Sequence, residues 1–377
     1  MVKCTNAIVL LLILAWTSPA QTNMAGFPLS QPVTNSAPAT NQITFSEFLN
    51  EVAAANLDYA AQRYNVSITA AAMATAREFQ NPTLQLNGGR DVTHSGDQRL
   101  PSTYGASLTQ TIELGGKRKY RILGAQQSYA AASATLDGFL RNLRLDAAAA
   151  FVDALALSRS AEQKRQSAEA LARLAETQRD RYRAGDISRA DLLQTQVEEQ
   201  QFQNEVLAAQ ADADNAAIGL SGFLGRDRGE TLLIPKGSLE IPTREFDPGV
   251  LISESLKNRS DLVALRRARD AAQSNVGLEK ANRVPNVDVG GGWNHSTESH
   301  NAIAPSPTFD DAALTLSFPL PLWNRNKGAI TSARFAAEQA QKQVEAAELK
   351  AEVQIRQLLS VYRSAVERLR RYQNGIL

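Results

Sequence analysis

The chain's only imidazoles are His94, His295 and His300. None sits in an HExxH pattern, and no serine lies on a G-x-S-x-G elbow, so metalloprotease and hydrolase chemistry have no foothold. His94 and His295 fall at comparable points of two related stretches, TLQLNGGRDVTH and NVDVGGGWNH. A metal relay is the chemistry such a pair could support. Bound metal, however, normally takes three or four ligands, so both are weak candidates, and polar residues of a loop or lumen are the plainer expectation. The glycine runs NGGR and GGG are read as strand glycines, because no helix N-terminus follows them to cradle a phosphate. Gly185, Asp186 and Asp191 lie in RAGDISRADLL. Around a shared axis the two aspartates could form acidic rings that favour cations. Helix capping and solvated turn charge account for them equally well. No catalytic constellation or cofactor motif emerges, and an enzyme is not expected.

A second cluster is QTIELGGKRKYRI, residues 110–122. An alternating run ends at Gly115-Gly116, and Lys117, Arg118, Lys119 and Arg121 follow at once, opening a long alanine-rich segment. Glycine supplies the backbone freedom for a strand to turn sharply into a helix. The basic residues could snorkel toward anionic head groups at a membrane surface. Trp323, Asn324, Arg325, Asn326 and Lys327 repeat the arrangement, with a tryptophan suited to an interface. A hairpin on a soluble helical protein, its charges merely solvated, is the alternative reading.

The elements that must position these residues come next. The chain has 377 residues, 40 of them basic and 39 acidic. That balance gives no reason to expect a nucleic-acid partner. With 21% charged residues and a mean hydropathy of −0.28, it does not read as a bundle of membrane helices. Residues 1–20 have the layout of a secretory signal peptide: Lys3, the apolar run AIVLLLILAW, then small residues around Ser18-Pro19-Ala20. The apolar run is too short to span a bilayer as a helix. The single cysteine, Cys4, lies before the apolar run and inside residues 1–20, so no disulfide or thiolate metal site is expected beyond residue 20. Residues 21–42 are rich in Pro, Ser, Thr and Asn and read as a flexible leader.

From Thr44 the pattern is helical to about Phe79, with a capping box from Thr44 and Glu47, and Asn81-Pro82 stops it. Two strands follow, separated by a loop, with Tyr104, Ala106, Leu108, Gln110 and Ile112 on one face. A helix then runs from about 118 to 183, with a seam of Leu136, Leu140, Leu143, Ala147, Ala150, Ala154 and Leu157 spaced for a coiled coil. Gly185 fits its C-terminal cap, and Ser188 starts a returning helix to about Leu220. After a connector at 225–246 the order begins again. A helix or helix pair spans 247–283, then come NVDVGGGWNH, a polar loop, ALTLSFPLPLWNRNKG and another long alanine-rich helix. This is an internal duplication: repeats at 43–224 and 247–377, the second expected to stop short of its last helical hairpin.

Two hairpins provide four strands, about ten residues each, which is a bilayer-crossing length. One face carries Leu, Val, Ile and Phe, and the other Gln, Asn, Asp, Thr and Gly. Four strands cannot close a barrel, and an open edge cannot face lipid, so several chains would have to share one barrel.

IELGGKRKYR followed by AQQSYAAA, FPLPLWNRNKGAITSAR, and the turn YRAGDISRADLLQTQVE resemble the TolC-like outer-membrane efflux factors, most nearly the cation-efflux subgroup of the cobalt–zinc–cadmium type. The resemblance covers residue 43 to the end. It implies a mainly α fold with β-hairpins: long coiled-coil helices, and four strands given by each chain of a homotrimer to a twelve-stranded transmembrane β-barrel. The implied partners are outer-membrane lipid, a periplasmic adaptor and an inner-membrane proton-driven pump. The implied role is passive export, of heavy-metal cations first. A drug, organic-solute or type I secretion duct of the same fold, or a soluble periplasmic coiled-coil adaptor, are the alternatives.

Overall fold

The computed structural model describes residues 42–90, 101–225, 233–239, 243–299 and 305–375. The expected signal peptide at 1–20, the leader to residue 41, His94 and His300 lie outside the described residues. The elements are β1 (Gln42–Thr44), α1 (Phe45–Ala55), α2 (Leu57–Arg77), β2 (Thr83–Arg90), β3 (Ser102–Ile112), α3 (Lys117–Ala184), α4 (Arg189–Phe223), β4 (Ile234–Lys236), α5 (Pro248–Asn258), α6 (Ser260–Ala281), β5 (Val287–Ser296), β6 (Phe309–Ser317) and α7 (Lys327–Gly375). Among the described residues no helix is long and apolar enough to cross a membrane. At 1.5 Å per residue, α3 alone is roughly 100 Å long.

The capping box at Thr44 forms as the sequence predicts: Glu47 N–H donates to Thr44 Oγ1, and the Glu47 carboxylate accepts from Thr44 N–H at 3.0 Å. The helix predicted to reach Phe79 is two helices. Asn56 breaks it in an extended conformation (φ −65°, ψ 124°) and caps both sides. Its N–H closes α1 on Val52, and its side-chain oxygen accepts from Tyr59 N–H at 2.9 Å. Its amide nitrogen reaches across to Phe223 O at 3.0 Å. The second half breaks in the same place with a different residue. Arg259 separates α5 from α6 at φ −63°, ψ 123°, and its guanidinium grips both carboxylate oxygens of Asp261, at 3.0 and 2.7 Å. That grip holds the Asp261 carboxyl below the ordinary aspartate range.

The core of the first half gathers Phe48 and Val52 of α1, Ala147, Phe151, Ala154 and Leu155 of α3, and Leu220 and Leu224 at the end of α4. Phe48 lies 5.5 Å from the Phe151 ring and 6.3 Å from Phe223. Fully burying such a side chain contributes roughly 1.5–3 kcal/mol. The predicted seam is therefore displaced. Ala147 and Ala154 are buried, but Phe151 and Leu155 carry the contact, and Leu157 is exposed. The shift arises because α3 packs against α1, α2, α4 and α6 in turn, so no single heptad stripe serves its whole length. Toward the tip, α3 meets α4 through Ala161, Ala209 and Ala213, where small residues bring the backbones close. Beyond the seam, β1 pairs in parallel with β4. Gln42 is thus a strand residue and not leader, and the connector at 225–246 contains a strand. Three-residue strands show no readable period.

Asn56→Ala removes a cap and leaves Phe223 O without its side-chain donor. Purified protein should lose about 1–2 kcal/mol, read as a fall in the thermal midpoint. Asp261 gives a pH signature. Its pKa is lowered in the folded state, so its contribution is present above the ordinary aspartate value, ~3.9, and vanishes as pH falls through the lowered value. Asp261→Asn should lie below the parent in thermal midpoint at pH 7, with the gap closing at more acid pH.

Candidate functional site

The four long strands form one sheet in the order β2-β3-β5-β6, all antiparallel. Its register sorts side chains onto two faces by parity. In one cross-strand row, Asn87 faces Gly105, Gly105 faces Asn294, and Asn294 faces Asp311. Asn87 donates to Asn294 at 3.5 Å, and Asn294 to Asp311 at 3.4 Å. A Cβ on residue 105 would collide with both asparagine side chains, so glycine makes the row possible. At the other end of this face Thr111 Oγ1 donates to Asp288 Oδ1 at 2.6 Å. The strand residues of this face are otherwise small or polar, apart from Phe309, and Asp288 and Asp311 are its only charged members.

The opposite face carries Leu84, Leu86, Leu108, Ile112, Val289, Leu314 and Leu316, all exposed. Toward the hairpin ends it carries Tyr104, Trp293, His295 and Asp310 in adjacent rows. The expectation for His295 as a lumen or loop residue needs correcting. It lies within β5 on the apolar face, its Nδ1 2.8 Å from Asp310 Oδ1 and its ring stacked 6.0 Å from Trp293. No group of three His, Cys, Asp or Glu able to hold a metal is found among the described residues. The strand predicted through FPLPLW also stops early. β6 ends at Ser317, because Pro319 and Pro321 cannot donate to a ladder.

At the first strand-to-helix corner both glycines are left-handed, Gly115 at φ 74° and Gly116 at φ 75°. A Cβ at 115 would lie 2.9 Å from Ala281 O and 3.0 Å from Val284, whereas a Cβ at 116 meets nothing. The basic cluster does something other than reach for head groups. Arg118 donates to Arg77 O (3.0 and 2.6 Å), and Arg121 to Ala76 O and Glu78 O at 3.1 Å. Two guanidiniums thus cap the carbonyl end of α2, where the helix dipole is negative. Arg121 also makes a two-pronged pair with Glu113, at 2.6 and 3.1 Å. Arg118 lies 4.3 Å over the Phe79 ring. Lys117 is buried and donates to Asn286 Oδ1 in the second half, and burial pushes its ammonium below the ordinary lysine value. Lys119 is exposed.

The second corner has no glycine. Asn326 takes the left-handed conformation (φ 55°), held by Asn324 Oδ1, and its amide donates to Glu279 O (2.9 Å) and Oε2 (2.7 Å) near the end of α6. Trp323 is 92% exposed, and Arg325 is exposed beside it. At the α3–α4 turn Gly185 is left-handed (φ 87°), its N–H reaching Tyr182 O, and Asp186 N–H returns to Arg181 O. Asp191 accepts from Ser188 N–H and Oγ, so its carboxylate serves the α4 cap. Asp186 is exposed. The row Asn87–Asn294–Asp311 and the pair Thr111–Asp288 were missed by sequence reasoning, because the register linking the two hairpins is a tertiary fact.

The model of the outer membrane efflux protein family matches residues 48–226 and 251–376. The cobalt-zinc-cadmium resistance protein CzcC of Cupriavidus metallidurans is 29% identical over 306 residues, 80% of this chain and 69% of that protein. The nickel-cobalt-cadmium resistance protein NccC of Alcaligenes xylosoxydans xylosoxydans is 28% identical over 330 residues, 84% of this chain and 70% of its own. Among solved structures, CusC superposes with a TM-score of 0.70 at 15% identity, covering 91% of this chain and 81% of its own. VceC of Vibrio cholerae gives 0.67 at 16%, covering 88% and 82%.

The two corner glycines should respond differently. Gly116→Asn should be tolerated, since asparagine adopts the left-handed region and the space is open. Gly115→Asn meets the end of α6 and should lower the recovery of membrane-assembled protein severalfold, with helical circular dichroism retained. Equal recovery of the two variants would remove this account of the corner.

Proposed function

The chain belongs to the outer membrane efflux protein family, and on that premise we propose that it is the outer-membrane duct of a tripartite exporter for divalent metal cations. The observation that carries this reading is the sheet. One exposed face is mostly apolar, the other polar, both outer strands lack a partner among the described residues, and the whole is mounted on helices far longer than a globular core needs. Apolar residues would face lipid and polar ones a water-filled lumen. Because lipid tolerates no open edge, copies of the chain close the barrel together, and three copies give twelve strands. The helices α3, α4 and α7 extend into the periplasm, where an adaptor joins the duct to a proton-driven inner-membrane pump. The duct itself does no chemistry.

Cation cargo has two supports. The relatives CzcC and NccC are named for resistance to cobalt, zinc, cadmium and nickel. The lumen-side face of the strands carries two aspartates and no basic residue. In a trimer that is two rings of carboxylates, which attract cations and repel anions. A deletion strain should become sensitive to cobalt, zinc, cadmium or nickel, and this gene should restore resistance with the protein recovered in the outer membrane. Sensitivity confined to drugs would overturn the cargo, and recovery only as a soluble periplasmic monomer would overturn the duct. In planar bilayers Asp288→Asn/Asp311→Asn should lower the cation-to-anion permeability ratio severalfold. An unchanged ratio would remove the strand aspartates from selectivity.

A further inference from the structure

The polar face of the sheet is not uniform along the strands. Toward the helices its rows carry mainly hydroxyl side chains, such as Thr83, Thr109 and Thr315. Among the described strand residues, only the row Asn87–Gly105–Asn294–Asp311 sets two amides and a carboxylate side by side. Asp311 decides how this row is oriented. Its carboxylate accepts from Asn294 Nδ2 at 3.4 Å, because the reversed amide would set oxygen against oxygen. Asn294 Oδ1 is thereby turned away from β6 and back toward β3. Asn87 leans toward β3 from the other side. A Cβ on residue 105 would lie 2.6 Å from Asn87 Oδ1 and closer still to Asn294 Oδ1. Two amide oxygens, one from β2 and one from β5, thus converge above a bare Cα, and Gly105 is buried beneath them. The contact between the two amides is loose: Asn87 Nδ2 reaches Asn294 Oδ1 at 3.5 Å, beyond the usual range of an N–H···O bond. Among the described residues no side-chain or backbone donor reaches Asn87 Oδ1 or Asp311 Oδ1.

We propose that this row is a weak binding site for a divalent cation. The two amide oxygens are its direct ligands, water completes the shell, and Asp311 supplies charge from behind through the Asn294 amide. The chemistry selects the ligand. The donors are oxygens only, which suits a hard cation or one that keeps most of its water. The strands place no basic residue on this face. A carboxylate that accepts from an amide polarises it, which makes the amide oxygen a better ligand. One carboxylate and two neutral oxygens hold an ion loosely, as a conducting path requires: firmly enough to enter, weakly enough to leave.

Asp288 differs. One of its oxygens is taken at 2.6 Å by the Thr111 hydroxyl, and its row contains no amide. It attracts cations without the ligands to hold them. Asp288 and Asn294 both lie on β5, about 20 Å apart along the strand. That exceeds the screening length of ~8 Å at physiological ionic strength, so each acts alone. That the bound ion is cargo on its way out rests on the duct proposed above, whereas the binding itself needs only the sheet.

The probe is terbium, an oxygen-seeking ion whose emission is sensitised by a tryptophan close to it. Trp293 adjoins Asn294 in β5, whereas Trp323 lies at the corner beyond the far end of β6. The full chain, purified in detergent, should give saturable tryptophan-sensitised emission that calcium or zinc displaces. Trp293→Phe should remove most of it, and emission that survives this change places the ion elsewhere and overturns the site. Asp311→Asn and Asn87→Ala should each raise the half-saturating terbium concentration roughly tenfold, with Asp288→Asn leaving it close to that of the parent. Asn87 is exposed on an outer strand, so its truncation should leave circular dichroism unchanged. Gly105→Ala should act like Asn87→Ala, although both asparagines and the carboxylate remain. No sensitised emission from the parent overturns the site. A loss in Asp288→Asn equal to that in Asp311→Asn, with none in Asn87→Ala, also overturns it, in favour of diffuse surface charge. The strain test above is independent. Sensitivity confined to drugs would overturn the cargo, and with it the role of the site, while terbium binding stood. Loss of terbium binding would leave the duct standing.

Discussion

Backbone hydrogen bonding at the edge of a sheet governs this molecule. Each N–H and C=O left unpaired in hydrocarbon costs several kcal/mol, and among the described residues the sheet β2-β3-β5-β6 has an open row along both outer strands. A soluble protein would hide those rows. Among the described residues this one leaves them bare, and the mostly apolar face of the sheet is exposed. Both features are liabilities in water and requirements in a shared membrane barrel. The alternation of side chains and the row of polar side chains on the other face are what that constraint asks of the strands.

The duplicated halves meet the same geometric demands with different chemistry. Each first helix must break before the hairpin. Asn56 does it with a side-chain cap, and Arg259 with a guanidinium locked on Asp261, at nearly the same backbone angles. Each strand must swing into a long helix. Two left-handed glycines do it once, and one left-handed asparagine does it the second time. The carbonyl end of the preceding helix must be satisfied at each corner. Arg118 and Arg121 serve α2, while the Asn326 amide serves α6. The halves therefore share backbone geometry where residue identity has drifted, which is what makes residue equivalence between them usable.

The sequence was legible where local periodicity and punctuation decide structure. Gly185 and Ser188 mark the α3–α4 turn, Pro82 and Pro285 lead into the hairpins, and the Thr44–Glu47 box opens α1 as read. The break at Asn56 was hidden because an asparagine within a helical pattern is unremarkable until Phe223, far along the chain, supplies its partner. Phe151 was passed over for leucines because a heptad assumes one partner, and α3 has several. Arg118 and Arg121 were read as membrane-facing from their charge alone, since nothing in the sequence says that the end of α2 lies beside them. His295 was set on the wrong side for the same reason: parity on a strand is visible, but which parity faces which way depends on pairing.

Pairing within the chain also bears on how several chains meet. The two hairpins are tied to each other before any neighbour arrives. Lys117 reaches Asn286, Thr111 reaches Asp288, and Thr297 reaches Ser102, each a bond between repeat one and repeat two. The helices behind them are packed through Gly277, where only the missing Cβ lets the Tyr120 ring approach. The strands thus present themselves as one preformed four-stranded blade. Assembly then has to align a single edge with a single edge, and most of the ordering entropy of the strands is already spent within the chain. The corner residues carry that alignment. They fix the direction in which each hairpin leaves its helix, so a side chain forced in at Gly115, against the end of α6, would disturb the strand contacts together while leaving the helices themselves intact.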